Sequence, residues 1–259
     1  MTDLRRFPGT RAVAWAFFAY LYLPIVVLVV LAFNANTTAT IWTGFTTDWF
    51  GRVLANADIM RAARNSLTVA LIATACSTVL ATAAALGLAR RRVRSERAAT
   101  ALISLPLVVP EIVTAVATLL FFVLIGLELG LLTVALAHTV FCIPFAYLPI
   151  RARLAGMDPA LLDAAADLYA GPWRTFLRVT LPLLWPGVLS GAMLAFIISL
   201  DDFVITYFVA GAGGTTLPIY IFGMIRIGVS PEVNAVSALM LVVSILFVSL
   251  SYLIGRRAG

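Results

Sequence analysis

The sequence predicts an all-α membrane protein, on three observations. Of its 259 residues, 62% are hydrophobic and only 12% charged, against about 45–50% and about 25% in soluble domains. Six apolar runs follow one another, each long enough to cross a hydrocarbon core of about 30 Å. The arginines gather on alternate connections between those runs. Backbone groups in lipid must be satisfied within their own segment, so the runs are helices. The alternating ten-residue segments of a membrane barrel are absent.

In chain order, the span at 12–33 is uncharged. The connection 34–65 carries Trp42, Phe45, Trp49 and Phe50. These read first as anchors at the membrane interface, and secondly as a docking surface for a delivery protein. The span 66–89 is uncharged. The span 98–125 is apolar apart from Glu111, with Pro106 and Pro110 as punctuation. The span 129–150 contains His138, which reads as structural. The span 179–210 is uncharged to Leu200 and then carries Asp201 and Asp202. Gly211, Gly213 and Gly214 should break it, with a short helix at the outer interface after them. The span 233–255 is uncharged, and all six belong to one membrane domain, 1–259.

Orientation follows from the charges. Arg5, Arg6, Arg11, Arg90, Arg91, Arg92, Arg94, Arg97, Arg151, Arg153, Arg174, Arg178, Arg256 and Arg257 fall on one side, 14 of the 18 basic residues. That side is cytoplasmic, and it takes both termini and the polar loop 158–186. The net charge of +6 therefore reports topology, and nucleic acid is not implied. Every basic residue is Arg, so no phosphate-binding loop with its Lys is possible here. Cys76 and Cys142 read as small buried hydrophobes and form no disulfide framework. With one His, a multi-histidine metal site is excluded. No cleavable signal peptide is evident; the first apolar run is too long for one.

The loop 158–186 is a polar, helix-prone island. Asp158 offers a cap and Pro159 a preorganised first position. Leu161, Ala164, Ala165 and Leu168 share one helical stripe, narrow enough for a partner's groove. Gly171-Pro172 ends this segment, and a second helix runs from Pro172 toward the fifth span.

Asp163-Ala164-Ala165, followed at a distance by Thr180-Leu181-Pro182, resembles the coupling loop of ATP-driven importer permeases. In that family an acidic-Ala-Ala element, a Gly and a Leu-Pro form the docking surface for a separate ATPase. Asp163 stands where the family has Glu, and Tyr169 where it has Gly. That Gly serves a left-handed turn; a Tyr there costs about 1–2 kcal/mol, unless the turn moves to Gly171. Asn65-Ser66-Leu67, Pro110-Glu111-Ile112, Ser199-Leu200-Asp201-Asp202-Phe203, Thr216-Leu217-Pro218 and the run 228–235 extend the likeness over nearly the whole chain. Together they resemble the second-permease type of the spermidine/putrescine importers. The resemblance implies a type I ABC importer permease fold with six transmembrane helices, in a bacterial inner membrane. It implies a partner permease of like fold, two ATPase subunits and an extracytoplasmic polyamine-binding protein. It implies no cofactor in this chain, with ATP and Mg held by the ATPase. Asp158, Leu161, Asp163, Ala164, Ala165, Leu168, Tyr169 and Gly171 would carry the coupling.

For the cargo route the residues are Asp201, Asp202 and Glu111. Ionisable groups in a span are costly and face a cavity or a partner, and carboxylates select cations in pores. Asp201 lies roughly 22 Å of helix beyond Pro186. Adjacent side chains diverge by about 100°, so one Asp can face the route while the other ties the scaffold; Asp201 is favoured for the route. Structural ties remain the competing reading for all three. Other cationic solutes, opines among them, fit the same residues. A self-powered carrier would need no coupling loop and would more often show inverted repeats. An intramembrane protease would need more than His138 and two adjacent Asp.

Overall fold

The computed structural model describes residues 9–38, 41–89, 94–228 and 230–257, the last eight and 94–95 without their side chains. Arg5, Arg6, Arg90, Arg91 and Arg92, and the side chains of Arg94, Arg256 and Arg257, lie outside what is described. Among the described residues all named elements are helical, joined by one isolated bridge between Asn34 and Phe45. Two compact units emerge, one from Met1–Met60 with Ile221–Val243, the other from Arg61–Tyr220 with Ser244–Gly259.

In the first unit, helix α1 (Thr10–Leu31) buries no side chain and contains Pro24. A largely apolar helix with a mostly exposed surface is what lipid accommodates. The chain then wraps around Asn34. Its amide donates to the Ile41 carbonyl at 2.8 Å, and its Oδ1 accepts from the Thr43 and Asn36 N–H groups. Helix α2 (Asp48–Ala55) follows, with Trp49 and Val53 buried. The Trp49 indole N–H donates to the Asn34 carbonyl at 2.8 Å, and the Arg52 guanidinium lies 4.6 Å from the ring centroid. The anchor reading therefore fails for Trp49, which belongs to the packed interior. Trp42 and Phe45 are exposed.

The second unit is organised on α6 (Leu131–Ala155) and α9 (Leu181–Asp201), which pack closely along their lengths. Before them come α3 (Ala57–Ala89), α4 (Arg94–Ile103), a 3-10 turn (Leu105–Leu107) and α5 (Glu111–Leu124). Gly187, Gly191 and Ala195 form a small-residue stripe on α9. Its backbone comes so near α6 that a Cβ on Gly191 would sit 2.6 Å from the Ala146 carbonyl. Small residues at four-residue spacing permit this approach between membrane helices. Cys142 of α6 reaches the Ala195 carbonyl, and Arg153 donates to the Leu183 carbonyl at 2.8 Å. Cys142 is buried as expected, whereas Cys76 is exposed.

Between α6 and α9 run α7 (Ala160–Asp167), α8 (Pro172–Thr175) and a π-helical turn (Phe176–Thr180). After α9 come α10 (Val204–Val209), α11 (Leu217–Ile227) and α12 (Pro231–Arg257). Asn65 donates to the Gly213 and Thr215 carbonyls, and Ser66 accepts the Leu217 N–H at 2.8 Å. A side chain of α3 thus caps the start of α11, which gives the Asn-Ser pair and the Thr-Leu-Pro run one shared physical purpose. Gly211 takes a positive φ of 54°, and a Cβ there would strike the Leu129 carbonyl.

Among the described residues, five helices are long and apolar enough to cross a membrane: Thr10–Leu31, Ala57–Ala89, Leu131–Ala155, Pro172–Asp201 and Pro231–Ser249. Two expected spans differ. The stretch 98–125 is not one helix; Pro106 and Pro110 divide it, and α5 has 14 residues, about 21 Å of rise. The span 179–210 stops at Asp201, ahead of the glycines, because Asp202 is extended, with φ −62° and ψ 126°.

Candidate functional site

The break between α9 and α10 is where the intramembrane polar residues meet. Ending a helix inside an apolar span leaves backbone groups without partners. Asp202 meets part of that need: its Oδ1 accepts the Thr206 N–H at 2.9 Å and the Thr206 hydroxyl at 2.8 Å. His138 enters from α6. Its Nε2 stands 2.8 Å from Thr206 Oγ1 and 3.1 Å from Asp202 Oδ1, and its Nδ1 is 2.8 Å from Ser199 Oγ. All four side chains are buried.

The other oxygen of Asp202 behaves differently. Oδ2 is buried and has no hydrogen-bond partner among the described residues. Asp202 itself lines a cavity of about 410 Å3 with Glu111 and Asp201, and Phe141, Phe145 and Phe203 are among the apolar walls. The Glu111 carboxyl, in the first turn of α5, lines the same cavity as Asp202. Ionised carboxylates can only accept, so carboxylates gathered on one cavity suit a hydrogen-bond donor, and a donor cation best of all. Asp201 stays exposed while Asp202 is 7% exposed. The divergence expected of adjacent helical residues is thus present, but both reach the same cavity. Helix α9, the break and α5 bring Glu111, Asp201 and Asp202 together.

Composition did not single out Ser199 and Thr206, and it assigned His138 to the scaffold alone. A signal was present: a buried carboxylate in a span requires a partner. Ser199 and Thr206 stand three residues before and four after Asp202.

The polar loop forms a second site. Asp158 Oδ1 accepts the Ala160 N–H at 2.9 Å and so caps α7. At the other end the Tyr169 N–H bonds the Ala166 carbonyl, and the Ala170 N–H bonds that of Ala165. This is the paired closure of a Schellman turn. Among the described residues, Tyr169 is the only non-glycine with positive φ, at 56°. The left-handed position therefore stays at Tyr169 and does not move to Gly171, which is extended. The phenol ring is 97% exposed, and Leu168 beside it 82%.

The stripe divides. Leu161, Ala164 and Leu168 are exposed with Asp163, whereas Ala165 is 7% exposed and packs inward. Behind α7 lies a cavity of about 410 Å3, with Asp158, Leu162, Ala170 and Phe176 in its walls.

Residues 77–258 match the model of a family described as binding-protein-dependent transport system inner membrane component. The spermidine/putrescine transport system permease protein PotC of Haemophilus influenzae is 38% identical over 98% of this chain and 99% of its own. The putrescine transport system permease protein PotI of Escherichia coli is 40% identical over 86% of this chain and 82% of its own. Among solved structures, a chain of a bacterial ABC transporter involved in import of the acidic polysaccharide alginate superposes with a TM-score of 0.72. It covers 99% of this chain and 98% of that one at 16% identity. A chain of the inward-facing MetNI methionine ABC transporter superposes with a TM-score of 0.68, at 20% identity, over 79% of this chain and 99% of that one. The fold is that of the type I ABC importer permeases, and the chain belongs to the family of binding-protein-dependent transport system inner membrane components, as a membrane-spanning permease subunit.

Proposed function

We propose that this chain is one of two permeases through which an ABC importer carries polyamines of the spermidine/putrescine class across a bacterial inner membrane. The observation that carries the reading is the cavity at the α9–α10 break, where Glu111, Asp201 and Asp202 meet between phenylalanine walls. An alkyl polyamine is a set of ammonium groups joined by methylenes. Carboxylates suit the first and apolar walls the second, with ring faces attracting the cation as well. The near full-length identity to permeases named for spermidine and putrescine supports the same cargo.

A second permease of like fold completes the route. An extracytoplasmic binding protein delivers cargo from outside. Two ATPase subunits hold ATP and Mg and dock on α7 from the cytoplasm. ATP favours one permease state and its hydrolysis returns the other; only such a difference in affinity moves the equilibrium. The surface offered to the ATPase is Leu161, Asp163, Ala164, Leu168 and Tyr169. Asp158 and Ala165 shape it from within, and Gly171 ends it.

The test is reconstitution of the complete complex in vesicles with labelled spermidine as cargo. Uptake should require ATP and the binding protein. Ala164→Arg, at an exposed position, should lower it by about tenfold or more, as loss of a central interface contact does, while membrane insertion persists. An opine carried in preference to spermidine would overturn the cargo assignment. Unchanged uptake with Arg at 164 would remove α7 as the docking helix.

A further inference from the structure

The buried His138 has more hydrogen bonds than a space-filling residue needs, and they are directional. It sits on α6, yet it holds Ser199 at the end of α9 and Thr206 inside α10. One imidazole therefore spans both sides of the helix break. The hydrogens can be assigned by elimination. An ionised Asp202 Oδ1 only accepts, so the Thr206 hydroxyl spends its single hydrogen on that oxygen. Thr206 Oγ1 must then accept from His138, so Nε2 carries a hydrogen. In the neutral ring Nδ1 is left to accept from the Ser199 hydroxyl.

The Thr206 N–H and the Thr206 hydroxyl both donate to Oδ1, and His138 holds that hydroxyl in place by donating to its oxygen. Oδ2 receives none of these hydrogens, and Asp202 lines the cavity. A carboxylate free to rotate would exchange its two oxygens. One held by two donors at a single oxygen, one of them fixed by His138, is not free to do so.

We propose that His138 is a positioning residue for cargo transfer: by donating to the Thr206 hydroxyl, which in turn donates to Oδ1 of Asp202, it fixes the orientation of that carboxylate in the wall of the cavity that an ammonium group passes. This rests on the polyamine-import reading. Nothing requires His138 to touch the cargo. Its effect on transport runs through Asp202, and its place on α6 makes that carboxylate sensitive to any slide of α6 against α9.

The experiment uses the complete complex in vesicles, with labelled putrescine and the binding protein at graded concentrations. His138→Leu removes the donor. It should lower the maximal rate of uptake per assembled complex by about tenfold, the scale of one lost buried hydrogen bond. The concentration of loaded binding protein giving half that rate should not change, because docking is elsewhere. His138→Gln retains an amide donor and should recover the rate to within about threefold of the parent. Ser199→Ala removes only the hydroxyl at Nδ1. It supplies a milder variant if His138→Leu does not assemble, and should lower the same rate by about threefold.

Three results would overturn the proposal. One is parental rates in His138→Leu, or in Ser199→Ala where His138→Leu does not assemble. Another is an equal loss in the Leu and Gln variants, which would mean that shape and not donation matters. The third is a rate that falls only together with a change in the half-saturating concentration. A parental complex that takes up no amine defeats the cargo reading itself; normal parental uptake with indifferent variants defeats this inference alone.

Discussion

Tyr169 shows at the scale of one residue how a local rule and its exception coexist. The Schellman closure at the end of α7 needs a left-handed residue, and the chain places a tyrosine there with φ 56°. The two backbone bonds of the closure outweigh a strain of about 1–2 kcal/mol. Tyr169→Gly should relieve that strain, less the entropy glycine loses on ordering, for a net gain of about 0.5–1 kcal/mol. Hydrogen exchange at the Tyr169 and Ala170 amides should slow accordingly; unchanged or faster exchange would mean that the exposed ring contributes stability of its own. This turn was legible in the sequence because the position of Tyr169 relative to Asp163-Ala164-Ala165 already marked it. Trp49 was not legible in the same way. An aromatic near a span end reads as an anchor, and only the fold of the chain around Asn34 brings its carbonyl to the indole N–H.

Helices α6 and α9 are held by backbone approach, and this sets what each position tolerates. Gly191 has the Ala146 carbonyl 2.6 Å from where a Cβ would lie, while Gly87 of α3 has nothing within 4 Å. Gly191→Leu should therefore lower the yield of folded protein steeply, with a cost of about 1–3 kcal/mol or more from overpacking. Gly87→Ala should leave it near the parental level. Thermal unfolding in detergent, followed by aggregation onset, measures both; equal tolerance at the two positions would show that the seam can spread apart. Hydropathy made five long helices legible, since it counts apolar length. It could not place the break at Asp202. No proline or glycine stands there, and the break depends on a partner from α6 that lies 64 positions earlier in the chain. The division of 98–125 was readable from Pro106 and Pro110, but apolar composition joined what the backbone separates.

For the whole molecule, the absence of lysine leaves no Lys-bearing phosphate-binding loop, which fits the division of labour between polypeptides proposed above. The purified subunit should show no ATP hydrolysis above background, and activity should appear when the ATPase subunits are added. Hydrolysis that stays with this chain through stringent purification would contradict that division. The functional sites were legible in part at this scale. Loop 158–186 announces itself as polar sequence among apolar sequence, and Glu111, Asp201 and Asp202 as charges where charge is costly. The network that holds Asp202 was not, because serine, threonine and a lone histidine are unremarkable until the fold makes them neighbours.

The π-helical turn at Phe176–Thr180 joins α8 to α9 within one continuous helix of 30 residues. A π turn holds one residue more than an α turn, and each residue of an α-helix advances the azimuth by about 100°. Phe176 faces the cavity behind α7, while Gly187 and Gly191 face α6. The extra residue enters the angle between those two directions. The wide turn thus acts as a phase offset between the two ends of the rod. Deleting one residue there would restore regular winding and put one end out of phase with its surroundings, although the hydropathy of the span would hardly change.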